Sequence, residues 1–198
     1  MSNTDIFRKL PFDFDESSKK STIDCAKQLI NKRLIDILDQ ETIREINNIP
    51  KNKGGFGQII EEYVFGREPN NSPKPDFSCG VDCKTTPLKK KGDELVVKER
   101  LVCNQINFPT IIDEEWESSS FLNKNSHNLI IRYIDPMDKK IAKTEYLIVD
   151  ARIFNLRDSE YYEQFKKDWD DIRNLVDAGR AQDLSETKTM YIGACPKG

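Results

Sequence analysis

Histidine is almost missing from the 198 residues: His127 stands alone, between Ser126 and Asn128. Cysteine is present five times, but only Cys79 and Cys83 are close in sequence. A structural zinc site needs four nitrogen or sulfur ligands, and this chain has no second close pair to supply them. Long apolar runs are absent too. Stretches such as Tyr146-Leu147-Ile148-Val149 and Leu129-Ile130-Ile131 are far too short to span a bilayer, and the first residues lack the apolar stretch of a secretory signal. No membrane partner is expected, and the reading is a cytoplasmic chain whose odd number of thiols stays reduced. Nor is there an excess of one charge. The net charge is -3, although residues 158–186 hold nine acids against four bases and residues 51–100 hold ten bases against eight acids. A locally basic face is therefore compatible with an acidic whole, and net charge alone neither supports nor excludes a polyanionic partner.

What is present suffices for a core. Mean hydropathy is -0.67, yet 10 Phe, 6 Tyr and 2 Trp can be buried, and the length suits one domain, residues 1–198. Helical periodicity predicts helices over 17–31, in one or two pieces over 33–48, over 56–66, over 116–123 and over 158–178. Gly66 and Gly179 are placed to end two of these. Alternation and β-branched content predict strands over 77–88, 94–107, 127–134, 144–154 and 190–195. Residues 67–75, with three prolines in nine, are a loop, and 89–93 is a hairpin turn. Helices, then strands, then a helix and a strand indicate a mixed α/β (α+β) architecture.

One segment concentrates chemistry: Pro75-Asp76-Phe77-Ser78-Cys79-Gly80-Val81-Asp82-Cys83-Lys84. On a strand, Asp82 and Lys84 share one face, about 6.6–6.8 Å apart along the strand, while Val81 and Cys83 share the other. Asp76 lies in the turn that leads in, and Glu61 lies on the preceding helix. Carboxylates that leave room for water and substrate oxygens suit a hard cation such as Mg²⁺, and a neighbouring ammonium can orient a water. Taken alone, Asp-x-Lys is most often a solvated ion pair; the combination of motifs sets this stretch apart.

At these residues the chain resembles the PD-(D/E)xK nucleases, and within them the MutH group and the GATC-cutting type II restriction endonucleases of the Sau-3A type. The resemblance runs from Lys53-Gly54-Gly55-Phe56-Gly57-Gln58-Ile59-Ile60-Glu61 through Lys74-Pro75-Asp76 and Gly80-Val81-Asp82-Cys83-Lys84-Thr85-Thr86-Pro87-Leu88. It continues in Lys98-Glu99-Arg100-Leu101-Val102-Cys103-Asn104, Ser119-Ser120-Phe121-Leu122-Asn123-Lys124-Asn125, Asp168-Trp169 and the stretch from Tyr191 to Gly198. It implies a restriction-endonuclease-like mixed sheet flanked by helices. Glu61, Asp76, Asp82, Lys84 and Lys124 take catalytic positions, and Asp76, Asp82, the Cys83 carbonyl and Glu61 surround Mg²⁺. Lys53, Lys124, Pro196, Lys197 and Gly198 touch DNA, the last three opening a loop that reads GATC in the major groove.

The implied function is Mg²⁺-dependent hydrolysis of double-stranded DNA at GATC by a type II restriction enzyme. The alternatives are a mismatch-repair-type GATC nicking enzyme, a DNA-binding or allosteric domain that does not cut, or a plain α/β domain that binds metal adventitiously. A palindromic site suits two copies paired on DNA. Two departures from the family pattern stand out. Asp82 replaces the usual Glu, one methylene shorter, and the chain stops just inside the recognition loop, so a further C-terminal domain is expected.

Overall fold

In a computed structural model of the chain, the described residues are 10–50, 55–68, 70 and 72–195. Their elements are α1 (Lys19–Lys27), α2 (Gln40–Asn48), α3 (Phe56–Tyr63), β1 (Asp82–Lys91), β2 (Glu94–Val97), α4 (Phe108–Ile111), α5 (Ser120–Asn125), β3 (His127–Ile134), β4 (Ile148–Asn155) and α6 (Tyr162–Asp177). The four strands form one mixed sheet in the order β2-β1-β3-β4. β1 and β3 run parallel, with Asp82 opposite Asn128 and Lys84 opposite Ile130, whereas β2 and β4 are antiparallel to their neighbours. This is the mixed α/β architecture expected. Among the described residues no helix is long and apolar enough to cross a membrane.

The alternation of side chains along β1 decides where the site lies. Val81 and Cys83 point into a core built with Leu129, Ile131 and Ala151 of the sheet, Cys25, Ala26 and Leu29 of the α1 region, and Ile59, Ile60 and Tyr63 of α3. A second core lies around α5 and α6, where Trp116, Leu122, Leu156, Trp169 and Ile172 pack together. Asp82 and Lys84, one residue out of phase with Val81 and Cys83, are buried without joining either apolar cluster. Helix α3 approaches β1 closely at Gly57, where an added Cβ would lie 2.9 Å from Thr85 Oγ1.

Several expected boundaries move, each for a local reason. Residues 77–80 form a turn rather than the start of β1. Phe77 N–H donates to the Val81 carbonyl at 2.9 Å and Gly80 N–H to the Phe77 carbonyl at 2.9 Å, with Gly80 at φ +81°. The strand expected over 94–107 ends at Val97, because after Lys98 N–H bonds the Pro87 carbonyl the chain departs from the sheet. The helix expected over 116–123 is split at Ser119, whose hydroxyl caps α5 by accepting Leu122 N–H at 3.1 Å. β4 starts at Ile148, since residues 143–145 form a 3₁₀ turn in which Thr144 bonds Asn47. The hairpin at 89–93 is tighter than expected: β1 runs on to Lys91, and Gly92 (φ +62°) and Asp93 alone make the turn.

The last predicted strand, 190–195, is not a strand. Its amides turn inward to one carboxylate: Asp168 accepts N–H bonds from Met190 (3.2 Å), Tyr191 (2.5 Å) and Ile192 (3.0 Å), plus one from Gln164 Nε2 (2.7 Å). Burial pushes the Asp168 carboxyl up, but these donors outweigh it and hold it below the ordinary carboxylate range.

Two expected outcomes follow from this packing. Gly57→Ala forces the stiff, β-branched Thr85 or the helix itself to move, lowering stability by about 1–3 kcal/mol in a denaturant titration. Asp168→Asn loses a charged acceptor and lowers stability by about 1–3 kcal/mol, with amide exchange at Tyr191 and Ile192 accelerated. Because the carboxyl is held low, this difference is full above about pH 4 and shrinks as the pH falls through the lowered value.

Candidate active site

The site is assembled by four segments. The turn at 77–80 is pinned by the Phe77 ring, which is 2% exposed and packs edge-on against Phe14 and Phe65. That anchor sets Asp76 beside the first residues of β1, where Asp76 Oδ2 accepts Cys83 N–H at 2.8 Å. Strand β1 contributes Asp82 and Lys84. Helix α3 contributes Glu61 and α5 contributes Lys124, each from its last turn.

Asp82 is 1% exposed and lies between two ammonium groups. Lys84 Nζ donates to Asp82 Oδ2 at 2.6 Å and to the Cys103 carbonyl at 3.0 Å. Lys124 Nζ stands 3.0 Å from Asp82 Oδ1 and 4.0 Å from Asp76 Oδ1. Its hydrogen bonds go elsewhere, to the carbonyls of Ser72 (3.0 Å) and Lys74 (2.9 Å). Asp82 Oδ1 thus has an ion-pair neighbour but accepts no hydrogen bond, which is rare for a buried oxygen. The solvated-face reading of Asp-x-Lys does not survive this burial.

The electrostatics are those of crowded acids held in place by lysines. Glu61 is pushed up to about 7, first by burial, then by the charges of Asp76 and Asp82, against the pull of Lys124 and Lys84. Asp76 is raised by burial and by Asp82, while the Cys83 amide and Lys124 act the other way. Burial also pushes the Cys83 and Cys103 thiols up, which makes them poor thiolates and poor metal ligands. His127 is placed outside this group: its Nε2 lies 3.1 Å from Lys19 Nζ.

Among the described residues, no three His, Cys, Asp or Glu side chains form a ready cage for a metal ion. The available donors are nonetheless hard oxygens. Asp82 Oδ1 lacks a hydrogen bond, and Asp76 Oδ1 lies 4.0 Å from the same Lys124 Nζ that stands 3.0 Å from Asp82 Oδ1. That set fits a hard divalent cation that takes two carboxylates and completes its shell with water and substrate, and it does not fit zinc.

Of the residues singled out from sequence, Glu61, Asp76, Asp82, Lys84 and Lys124 come together, and Cys83 adjoins them through its amide. Lys53, Pro196, Lys197 and Gly198 lie outside the described residues. Sequence reading missed the carbonyls of Ser72, Lys74 and Cys103 that hold the two lysines. Backbone acceptors carry no residue signature, so only the Pro-rich spacing before Asp76 could have hinted at them. It also missed the role of Asp168, because one inward carboxylate is hidden within an acidic helix.

Comparison with known proteins agrees with the resemblance. Residues 65–168, just over half of the chain, match the family described as DNA mismatch repair enzyme MutH. The chain is 32% identical over 184 residues to the type II restriction enzyme Sau3AI of Staphylococcus aureus, covering 91% of this chain and 36% of that enzyme. It is 25% identical over 152 residues to the DNA mismatch repair protein MutH of Shewanella woodyi, covering 76% of this chain and 63% of that protein. With MutH of Actinobacillus pleuropneumoniae serotype 3 it shares 25% identity over 187 residues, covering 91% and 77%. The chain therefore spans about a third of the length of the restriction enzyme it matches. The matched segment contains Asp76, Asp82, Lys84 and Lys124, all of the cluster but Glu61, and by that match the chain belongs to the family described as DNA mismatch repair enzyme MutH.

Proposed function

We propose that this chain is the catalytic domain of a Mg²⁺-dependent type II restriction endonuclease that hydrolyses double-stranded DNA at GATC. The observation that carries the reading is the buried Asp82 held between Lys84 and Lys124, with Asp76 and Glu61 beside it. The higher identity to a restriction enzyme than to the repair proteins favours restriction. The match to the repair family favours a second reading, cutting of one strand only. The enzyme so read works in the cytoplasm, and a palindromic site suits two copies paired on DNA, with a further C-terminal domain in the whole protein.

In this reading Asp76, Asp82 and the Cys83 carbonyl would hold Mg²⁺, with Glu61 a further carboxylate beside them. When bound, Mg²⁺ supplies Lewis-acid polarisation of a phosphate oxygen and a water of lowered pKa. Lys84, fixed by Asp82 and the Cys103 carbonyl, orients the attacking water and stabilises charge as it develops. The water oxygen gives up a proton to solvent and bonds to phosphorus, the bond to the 3′ oxygen breaks, and that oxygen leaves as a hydroxyl on taking a proton from solvent. A 5′-phosphate end results. Lys53, Lys124 and Lys197 bind the DNA, Lys197 within the sequence Pro196-Lys197-Gly198, from which a lysine can donate to guanine O6 and N7.

A plasmid digest with Mg²⁺, with product ends sequenced, tests this. Double-stranded fragments ending at GATC are expected, abolished by EDTA and reduced by about 10²–10⁴-fold in Lys84→Ala. Nicked circles cut at GATC would replace restriction by the repair-type reading. Uncut plasmid with retained DNA binding would replace both by a module that does not cut.

The crowding of carboxylates gives a second expectation. Glu61 is protonated more easily folded than unfolded, so its charge costs stability as the pH rises through about 7, and costs nothing below about pH 4. In EDTA at pH 8, Glu61→Gln is therefore more stable than the parent by about 1 kcal/mol, after allowing for solvent screening of this half-buried group. Thermal melts at pH 8 and pH 4 check both the sign and its disappearance.

A further inference from the structure

Asp76 and Asp82 lie side by side, and each has one oxygen committed to a nitrogen donor. Asp76 Oδ2 is taken by Cys83 N–H and Asp82 Oδ2 by Lys84 Nζ. The remaining pair, Asp76 Oδ1 and Asp82 Oδ1, both face Lys124 Nζ, at 4.0 Å and 3.0 Å. A divalent cation that took those two oxygens at the ~2.1 Å usual for Mg²⁺ would lie within about 5 Å of the Lys124 ammonium and be repelled by it. Lys124 is tied to these oxygens by charge and not by a hydrogen bond, its bonds running instead to two loop carbonyls, Ser72 and Lys74. It is 12% exposed, at the edge of the cluster, whereas Lys84 is 7% exposed and locked by Asp82 and Cys103.

We propose that Lys124 is an exchangeable internal cation: in the metal-free protein its ammonium neutralises Asp76 and Asp82, and Mg²⁺ binding expels it. On departure it gives up the Ser72 and Lys74 carbonyls, so metal binding loosens the loop before Asp76 and presents an ammonium at the site's edge, where a phosphate can meet it. The two lysines thereby differ in role. Lys84 stays with Asp82 throughout, and Lys124 is a positioning residue that trades one anion for another. This inference rests on the metal-dependent reading above.

The test uses the whole chain without DNA. Lysine acylation followed by mass spectrometry is run with EDTA and with saturating Mg²⁺, and Mg²⁺ affinity is measured calorimetrically for the parent, Lys124→Met and Asp82→Asn. Lys124 labelling is expected to rise at least threefold with Mg²⁺ while Lys84 stays protected. Lys124→Met is expected to bind Mg²⁺ about tenfold more tightly, since one unit charge no longer opposes the ion. Should Lys124→Met fail to fold, labelling of the parent chain decides. Equal or weaker affinity in Lys124→Met, or unchanged Lys124 labelling with Mg²⁺ bound, overturns the exchange. If Mg²⁺ binding is then still lost in Asp82→Asn, the metal-dependent reading stands alone. If no protein binds Mg²⁺, both readings fall.

Discussion

The burial of Asp82 is the constraint around which the site is arranged. A carboxylate that is 1% exposed cannot stay charged without compensation, and two lysines from different parts of the chain provide it. Neither lysine is free in turn. Lys84 needs the Cys103 carbonyl, which brings the irregular stretch after β2 across the sheet, and Lys124 needs the carbonyls of Ser72 and Lys74, which draws the Pro-rich loop onto α5. One buried charge thus fixes the paths of two segments that have no regular hydrogen-bond ladder of their own.

The sheet makes that burial possible by separating two kinds of surface on a single strand. Val81 and Cys83 extend the apolar core under α1 and α3, so β1 is held by packing that owes nothing to the charges. Its other face is then rigid enough to keep Asp82 and Lys84 at 2.6 Å. The glycine at 57 lets α3 lie against Thr85, and the same approach brings Glu61 within range of Asp76 and Asp82. Phe77 does for Asp76 what β1 does for Asp82: a buried ring holds a charged neighbour in place.

The elements with strong periodicity were legible in the sequence. α3 and α6 carry apolar stripes, and β3 has an unbroken apolar run, so pattern and structure agree. Asp82 and Lys84 were legible because strand alternation puts them on one face, Asp76 and Glu61 because a turn and a helix lead to that strand, and Lys124 because the resemblance carried it. What could not be read depends on partners without a residue code. Residues 190–195 have strand-like composition, but their amides found a carboxylate before they found a neighbouring strand. Residues 98–107 look like strands, but serve by presenting a carbonyl to Lys84. In both places a long-range polar contact overrode local propensity.

Charge is where the counting of residues misleads most, and it bears on how the site meets a polyanion. Of the nine acids over 158–186 only Asp168 is buried, where it acts as an internal anchor rather than as part of a repelling face. In the cluster, three carboxylates meet two ammonium groups, an excess of one negative charge that protonation of Glu61 near pH 7 can remove. On the proposed reading, a phosphate approaching this cluster meets a site close to neutral, with no net pull of its own. With Glu61 protonated, a divalent cation in place of the Lys124 ammonium would leave the reacting centre positive, so on this reading the metal serves substrate approach as much as the chemical step. A site built with fixed excess positive charge would attract any phosphate. A site that becomes positive only on taking a cation, with Asp82 already buried and oriented, admits one in a single geometry.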